Sequence, residues 1–223
     1  ARPVCYHGPH SPKRGGAPMS ANADANTVAG FSIDHLASTT WHEKGLRSFL
    51  RYRDLGATRA SGGRMRAEHI QCTGAIDAAT GWHCHDLEFQ FVYVLRGRVA
   101  FSAEGWGEVV LEAGDCAHIP PFTMHDETEF SADFEVIEVT MPAQVTTLDE
   151  KPASRGGRPD STMVVDYLGD DSFLRGEGPR TFLEYRDFRL GAATDGRVQA
   201  QVVRTNGPCD ASTGWHYHEL DIQ

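Results

Sequence analysis

Residues 89–95 read FQFVYVL, a run of aromatic and β-branched side chains that favours an extended strand. Arg96-Gly97 breaks the run and RVAFSA resumes it, which is the signature of a hairpin. The rhythm continues. EGWGE at 104–108 is a turn before VVLEA, and AGD at 113–115 is a turn before CAHIP. DFEVIEVTM at 133–141 is a further strand. Short strands separated by turn residues, with no long helical period, predict an all-β sandwich or barrel. Residues 35–55 are the one place where a short helix is conceivable.

The pattern is also written twice. Shifted by 133 residues, FLRYRDLG at 49–56 faces FLEYRDFR at 182–189, and GGRMRA at 62–67 faces DGRVQA at 195–200. TGAIDAATGWHCHDLEFQ at 73–90 faces NGPCDASTGWHYHELDIQ at 206–223. About 19 of these 42 positions are identical without a gap, which marks a domain-sized duplication. The reading is a first domain over 30–145, a charged Pro/Gly linker over 146–161, and a partial second copy over 162–223. Nothing in the second copy matches residues 91–141. Residues 1–19 are rich in Pro, Gly and basic side chains, and are expected to be a disordered, non-native tail before a natural start at Met19.

Charge changes the picture by exclusion. The formal net charge is -10, with 31 acidic against 21 basic residues, and no basic patch, so nucleic acid is not expected as a partner. No apolar run approaches membrane-spanning length. Cys5, Cys72, Cys84, Cys116 and Cys209 are odd in number and form no CxxC pair, so they are expected to be free thiols in a reducing, cytoplasmic setting.

Histidine spacing carries the chemistry. His83 and His85 are two apart, so on a strand both face one way and Cys84 faces the other. His125, beyond the PPFTMH turn, is a natural third imidazole for the same ion. His118 reads as a satisfied strand histidine, and Trp82 and Trp215 as packing residues. Phe89, Phe91 and Tyr93 share one strand face. Asp126 and Glu127 could serve as acid–base groups, although loop carboxylates are usually just solvated.

These residues resemble the two motifs of the cupin superfamily. The first motif is matched by His83, His85 and Gly97, with Gln90 seven residues before that glycine, and its opening glycine falls at Asp77. The second resembles GDCAHIPPFTMHDETE at 114–129, matched by Gly114, Pro120 and His125. Phe122 stands there where the family has glycine, and Glu129 where it has asparagine. The resemblance implies an all-β, double-stranded β-helix (jelly-roll, cupin) barrel followed by a partial second copy, with a divalent metal in the barrel mouth.

The implied ligands are His83, His85, His125 and Gln90, with Glu88 as the alternative to Gln90. His216, His218 and Gln223 would be an incomplete second set. A neutral Gln in place of the usual Glu would leave the centre more positive. The ion would be Fe(II), Zn, Mn or Ni, and the partner a small-molecule substrate or ligand. A homodimer also fits the family. Three functional readings stay open. One is a dioxygenase-like metal enzyme, a second is a non-redox zinc cyclase or isomerase, and the third is a non-catalytic ligand-binding sensor. The half-barrel is expected to pack on the first barrel, to be completed by another chain, or to belong to a longer tandem protein.

Overall fold

The computed structural model describes residues 27–28, 30–43, 47–74, 79–208 and 214–223. The tail read over 1–19, Cys5, Cys209 and Asp77 lie outside the described residues. β1 (Thr27–Val28) and β2 (Phe31–Ser32) form a small ribbon. The first copy supplies β3 (Leu50–Asp54), α1 (Ala57–Ala60), β4 (Arg66–Cys72), β5 (Cys84–Asp86) and β6 (Phe89–Arg96). It continues with β7 (Arg98–Ala103), β8 (Gly107–Glu112), β9 (Cys116–His118), β10 (His125–Phe130) and β11 (Glu135–Met141). Then come β12 (Thr146–Leu148), β13 (Val164–Asp166), β14 (Leu174–Arg175), β15 (Leu183–Asp187), α2 (Leu190–Ala193) and β16 (Gln201–Thr205).

Among the described residues, the barrel is made of antiparallel sheets facing one another. One has the order β13-β9-β6-β11-β4-β3; opposite it lie β10-β7-β8 and β12-β5. An isolated bridge, His83↔His125, joins the last two. The architecture is the all-β jelly roll. Gly97 makes the β6–β7 turn at φ 66°, where a Cβ would stand 2.9 Å from the backbone of Phe134.

Strand register explains why the barrel has a wet end and a dry end. On the inner face, Gln90, Thr140 and Arg66 form one cross-strand row, and Val94, Val136 and Ile70 form another deeper in. The apolar row merges with Leu111, Ala117, Phe101 and Phe130 in the main core. The polar row opens onto the cavity described below.

The duplication is visible in the backbone. Leu50 pairs with Cys72 and Leu183 with Thr205, the same register displaced by 133 residues. A left-handed residue precedes each short helix, Gly56 at φ 78° and Arg189 at φ 60°. A hydroxyl then closes each turn: Ser61 Oγ accepts the Met65 N–H at 3.0 Å, and Thr194 Oγ1 accepts the Val198 N–H at 3.1 Å.

The segment read as a linker is only partly one. Thr146–Leu148 pair with β5, so 146–148 belong to the first barrel. Val164–Asp166, assigned to the second copy, pair with β9 in the first barrel's large sheet. Composition cannot see this, because TTL and VVD gain their strand partners from residues far away in sequence.

The second copy packs on the first barrel. Phe188 and Leu190 are buried against Phe89, Phe91 and Cys116 on the outer face of β6 and β9, with Val198, Ala200 and Val202 around them. A charged latch sits beside this seam. Arg186, 2% exposed, donates to Asp166 and to the Gly114 carbonyl, and its guanidinium lies 5.2 Å from the Phe188 ring. Arg189 grips the other oxygen of Asp166. Cys116 beneath is free, and burial pushes its thiol up to about 12. Among the described residues no helix is long and apolar enough to cross a membrane.

Asp166→Ala should cost about 3–5 kcal/mol, because it strands the Arg186 charge in the seam. Urea unfolding checks this, and a loss below about 1 kcal/mol would mean the latch holds nothing. Replacing both partners with apolar side chains, Asp166→Leu together with Arg186→Met, should recover most of the loss.

Candidate metal centre

His83 and His125 meet through their backbones first. The His83 N–H donates to the His125 carbonyl at 2.9 Å, and the His125 N–H returns the bond at 2.8 Å. His85, next but one along β5, projects to the same side, while Cys84 points away and is fully buried. The three rings stand close, with centroids 4.4 Å apart for His83/His125, 4.9 Å for His83/His85 and 5.1 Å for His85/His125. One nitrogen from each lies within 4.8 Å of the others.

Hydrogen bonding fixes which nitrogen is free. His83 Nδ1 lies 2.7 Å from the Gly81 carbonyl, and His125 Nδ1 lies 2.9 Å from the Thr123 carbonyl. A carbonyl only accepts, so both Nδ1 atoms carry the proton and both Nε2 atoms present lone pairs. Those two Nε2 atoms are buried and have no hydrogen-bond partner. His85 Nδ1 lies 3.1 Å from the Thr147 hydroxyl of β12.

Gln90 lines the same cavity as His83 and His85. Its Nε2 donates to Glu138 at 3.0 Å, which leaves Oε1 buried and unpartnered. Orphaned acceptors at a buried site are costly unless a ligand uses them. The donor set therefore fits a divalent cation: neutral imidazoles with free lone pairs and an amide oxygen.

Burial favours the neutral form of His85 and His125. His85 falls from an ordinary value near 6.5 to about 3, first through burial and then through His125 and His83 beside it. His125 is lowered too, chiefly by burial. Neutral imidazole is the form that ligates.

Glu127 completes the electrostatics. It lies two residues after His125 on β10, so it faces the same way. Arg47 Nη2 holds its Oε2 at 2.9 Å, and the Thr80 hydroxyl makes a short bond to the same oxygen. Its oxygens stand 3.9 Å from His83 Nε2 and 4.0 Å from His125 Nε2. Burial raises its pKa, but Arg47, His125, Thr80 and His83 together outweigh this and bring it down to about 2. The carboxylate is ionised at neutral pH.

The cavity measures about 660 Å³. Arg47, Arg66, Glu68, Glu127 and Glu138 line its polar side, and Phe49, Leu50, Tyr52 and Ile70 its apolar side. The Thr140 hydroxyl, 1% exposed, lines it as well and has no partner.

His83, His85 and His125 come together as the spacing predicts. Glu88 does not join them. Residues 87–88 form a bend that breaks the strand phase, and Glu88 is exposed and paired with Arg158 at 3.3 Å. Glu127 is not a solvated loop carboxylate; period-two phase with His125 was the signal available for it. Trp82 is not packed inside the barrel. It sits in the bend before β5, half exposed at the cavity mouth, and Trp215 is fully exposed.

Phe122 is buried outside the cavity lining and takes the left-handed conformation, φ 60°, that a glycine would adopt freely. His118 is buried and satisfied, with Nδ1 2.8 Å from the Gln90 carbonyl and Nε2 3.0 Å from Ser161. In the second copy, His216 and His218 have ring centroids 5.1 Å apart and are exposed. Among the described residues no third His, Cys, Asp or Glu donor joins them.

Residues 74–139 match the family model described as Cupin domain. That stretch, from the end of β4 to β11 of the first barrel, therefore matches a cupin domain. Similar solved structures include KdgF from Halomonas sp., at 21% identity and TM-score 0.42 over 51% of this chain and 96% of that one. The polyketide cyclase RemF from Streptomyces resistomycificus is similar at 16% identity and TM-score 0.43, over 55% of this chain and 87% of that one. The 7S globulin of Momordica charantia is similar at 13% identity and TM-score 0.49, over 76% of this chain and 60% of that one. No curated protein sequence matches.

The lowered His85 makes a sign-definite prediction. The unfolded chain takes up a proton near pH 6.5 that folded His85 refuses until about pH 3, so metal-stripped protein loses stability as pH falls below 6.5. Denaturation midpoints between about pH 6.5 and 5 should fall for the wild type and fall less steeply for His85→Gln, where His125 and His118 still contribute. Equal slopes in the two proteins would refute the assignment.

Proposed function

We propose that His83, His85, His125 and Gln90 hold a divalent cation, and that the protein is a metal-dependent enzyme acting on a small polar organic substrate. The observation that carries this is the cluster of His83, His85 and His125, with His83 Nε2 and His125 Nε2 buried and unpartnered beside the ionised Glu127, together with the unpartnered Gln90 Oε1 in the cavity that His83, His85 and Glu127 line. The cation, when bound, supplies Lewis-acid polarisation of a substrate oxygen.

The chain's own residues do the rest. Glu127 accepts a hydrogen bond from a substrate hydroxyl and is the group placed to take up its proton. Arg47 and Thr80 hold that carboxylate in position. The Thr140 hydroxyl offers a further hydrogen bond, and Phe49, Leu50 and Tyr52 receive the apolar part of the molecule. A fixed carboxylate next to a set of neutral donors favours proton transfer, so we place the reaction in the non-redox cyclase or isomerase class ahead of the dioxygenase class.

A panel of small hydroxy- and oxo-compounds, offered to metal-loaded protein, tests this. Glu127→Gln should lower turnover by about 10²–10⁴-fold while metal content stays unchanged. His83→Ala should lose both metal and turnover. Iron content with oxygen consumption would move the reaction to the dioxygenase class. A ligand that binds without turnover in the wild type would make the protein a sensor.

A further inference from the structure

The amide of Gln90 is held in one of its two orientations, and the residue that holds it lies on another strand. Gln90 faces Thr140 across the β6–β11 ladder, and Glu138 faces Val92, so Glu138 is the diagonal neighbour of Gln90 on the barrel's inner face. The Gln90 Nε2 to Glu138 Oε1 contact is 3.0 Å. A carboxylate oxygen accepts, and the atom facing Glu138 is the amide nitrogen. Reversing the amide would set two oxygens against each other at that distance.

Glu138 is itself anchored. Arg66 Nη2 stands 3.5 Å from its other oxygen, while Arg66 Nε stands 3.4 Å from Glu68. Because the nitrogen is committed to Glu138, the Gln90 oxygen is the atom left over, buried and without a partner.

We infer that Glu138 is a positioning residue for the metal centre: it turns the Gln90 amide so that Oε1, not Nε2, stands beside the three imidazoles as a fourth donor. This rests on the reading of His83, His85 and His125 as metal ligands. It also accounts for glutamine at position 90. A carboxylate there would meet the Glu138 carboxylate across the same short contact, and one of the two would have to take up a proton. Neutral donor and half-buried carboxylate form a matched pair, and the Arg66–Glu138–Gln90 chain keeps the cation's charge uncancelled by its own ligands.

The test uses the full chain and Zn²⁺ alone, with affinity read by competition against a chromogenic chelator. Q90A and E138A should each weaken binding by about tenfold, the scale of outer-partner effects at metal sites. The double variant Q90A/E138A should be no weaker than Q90A, since Glu138 acts only through Gln90. E138Q keeps an acceptor oxygen and should stay within about threefold of wild type.

Unchanged affinity in E138A, or an equal further loss when E138A is added to Q90A, would overturn the inference. H83A is the separate control. Wild-type affinity in H83A would refute the metal centre itself, whatever Glu138 does. Far-UV circular dichroism and melting accompany each variant, and E138L, closer in volume, replaces E138A in the cycle should the latter not fold.

Discussion

Two backbone hydrogen bonds between His83 and His125 are the constraint on which the site depends. They join the short strand β5 to β10, and so join the first half of the barrel to the second at its mouth. Each histidine then bonds its own Nδ1 to the carbonyl two residues earlier, Gly81 for one and Thr123 for the other. Position and tautomer are thus both set by main chain. Side chains around the site can vary without moving these two nitrogens, which is the kind of support a preorganised centre requires.

Around this fixed pair the charges are arranged in pairs. Arg47 serves Glu127, and Arg66 serves Glu138 and Glu68. Each arginine neutralises a carboxylate that would otherwise be drawn toward a cation. The donor atoms left for the cation are ring nitrogens and an amide oxygen, while the carboxylate oxygens stay at the cavity wall beside their arginines. Such a wall suits a substrate with hydroxyl or carbonyl groups.

Much of the barrel and half of the site could be read from the sequence. The strands from Phe89 to Met141, β10 excepted, were visible because their aromatic and β-branched runs end in turn residues; β10, HDETEF, has no such run and read as a loop. The His83/His85 couple was visible because its period of two needs no tertiary knowledge. Glu138 and Thr140 were not seen, and Glu127 was set down with the solvated loop carboxylates, because their meaning depends on register. Only once Thr140 is known to face Gln90 does Glu138 become its diagonal neighbour. Glu88 misled for the opposite reason: the alternation was carried through a bend that interrupts it. The linker misled because β12 and β13 gain their identity from β5 and β9, not from their own composition.

The covered outer face of β6 and β9 has one more consequence. Phe188 and Leu190 reach it on the same polypeptide as Phe89 and Phe91, so the docking is intramolecular and its effective concentration does not change on dilution. A barrel that had to find this cover on a separate molecule would bare a greasy sheet whenever protein was scarce. Here the shield travels with the surface it protects. Self-association, where it occurs, has to begin from some other side of the molecule.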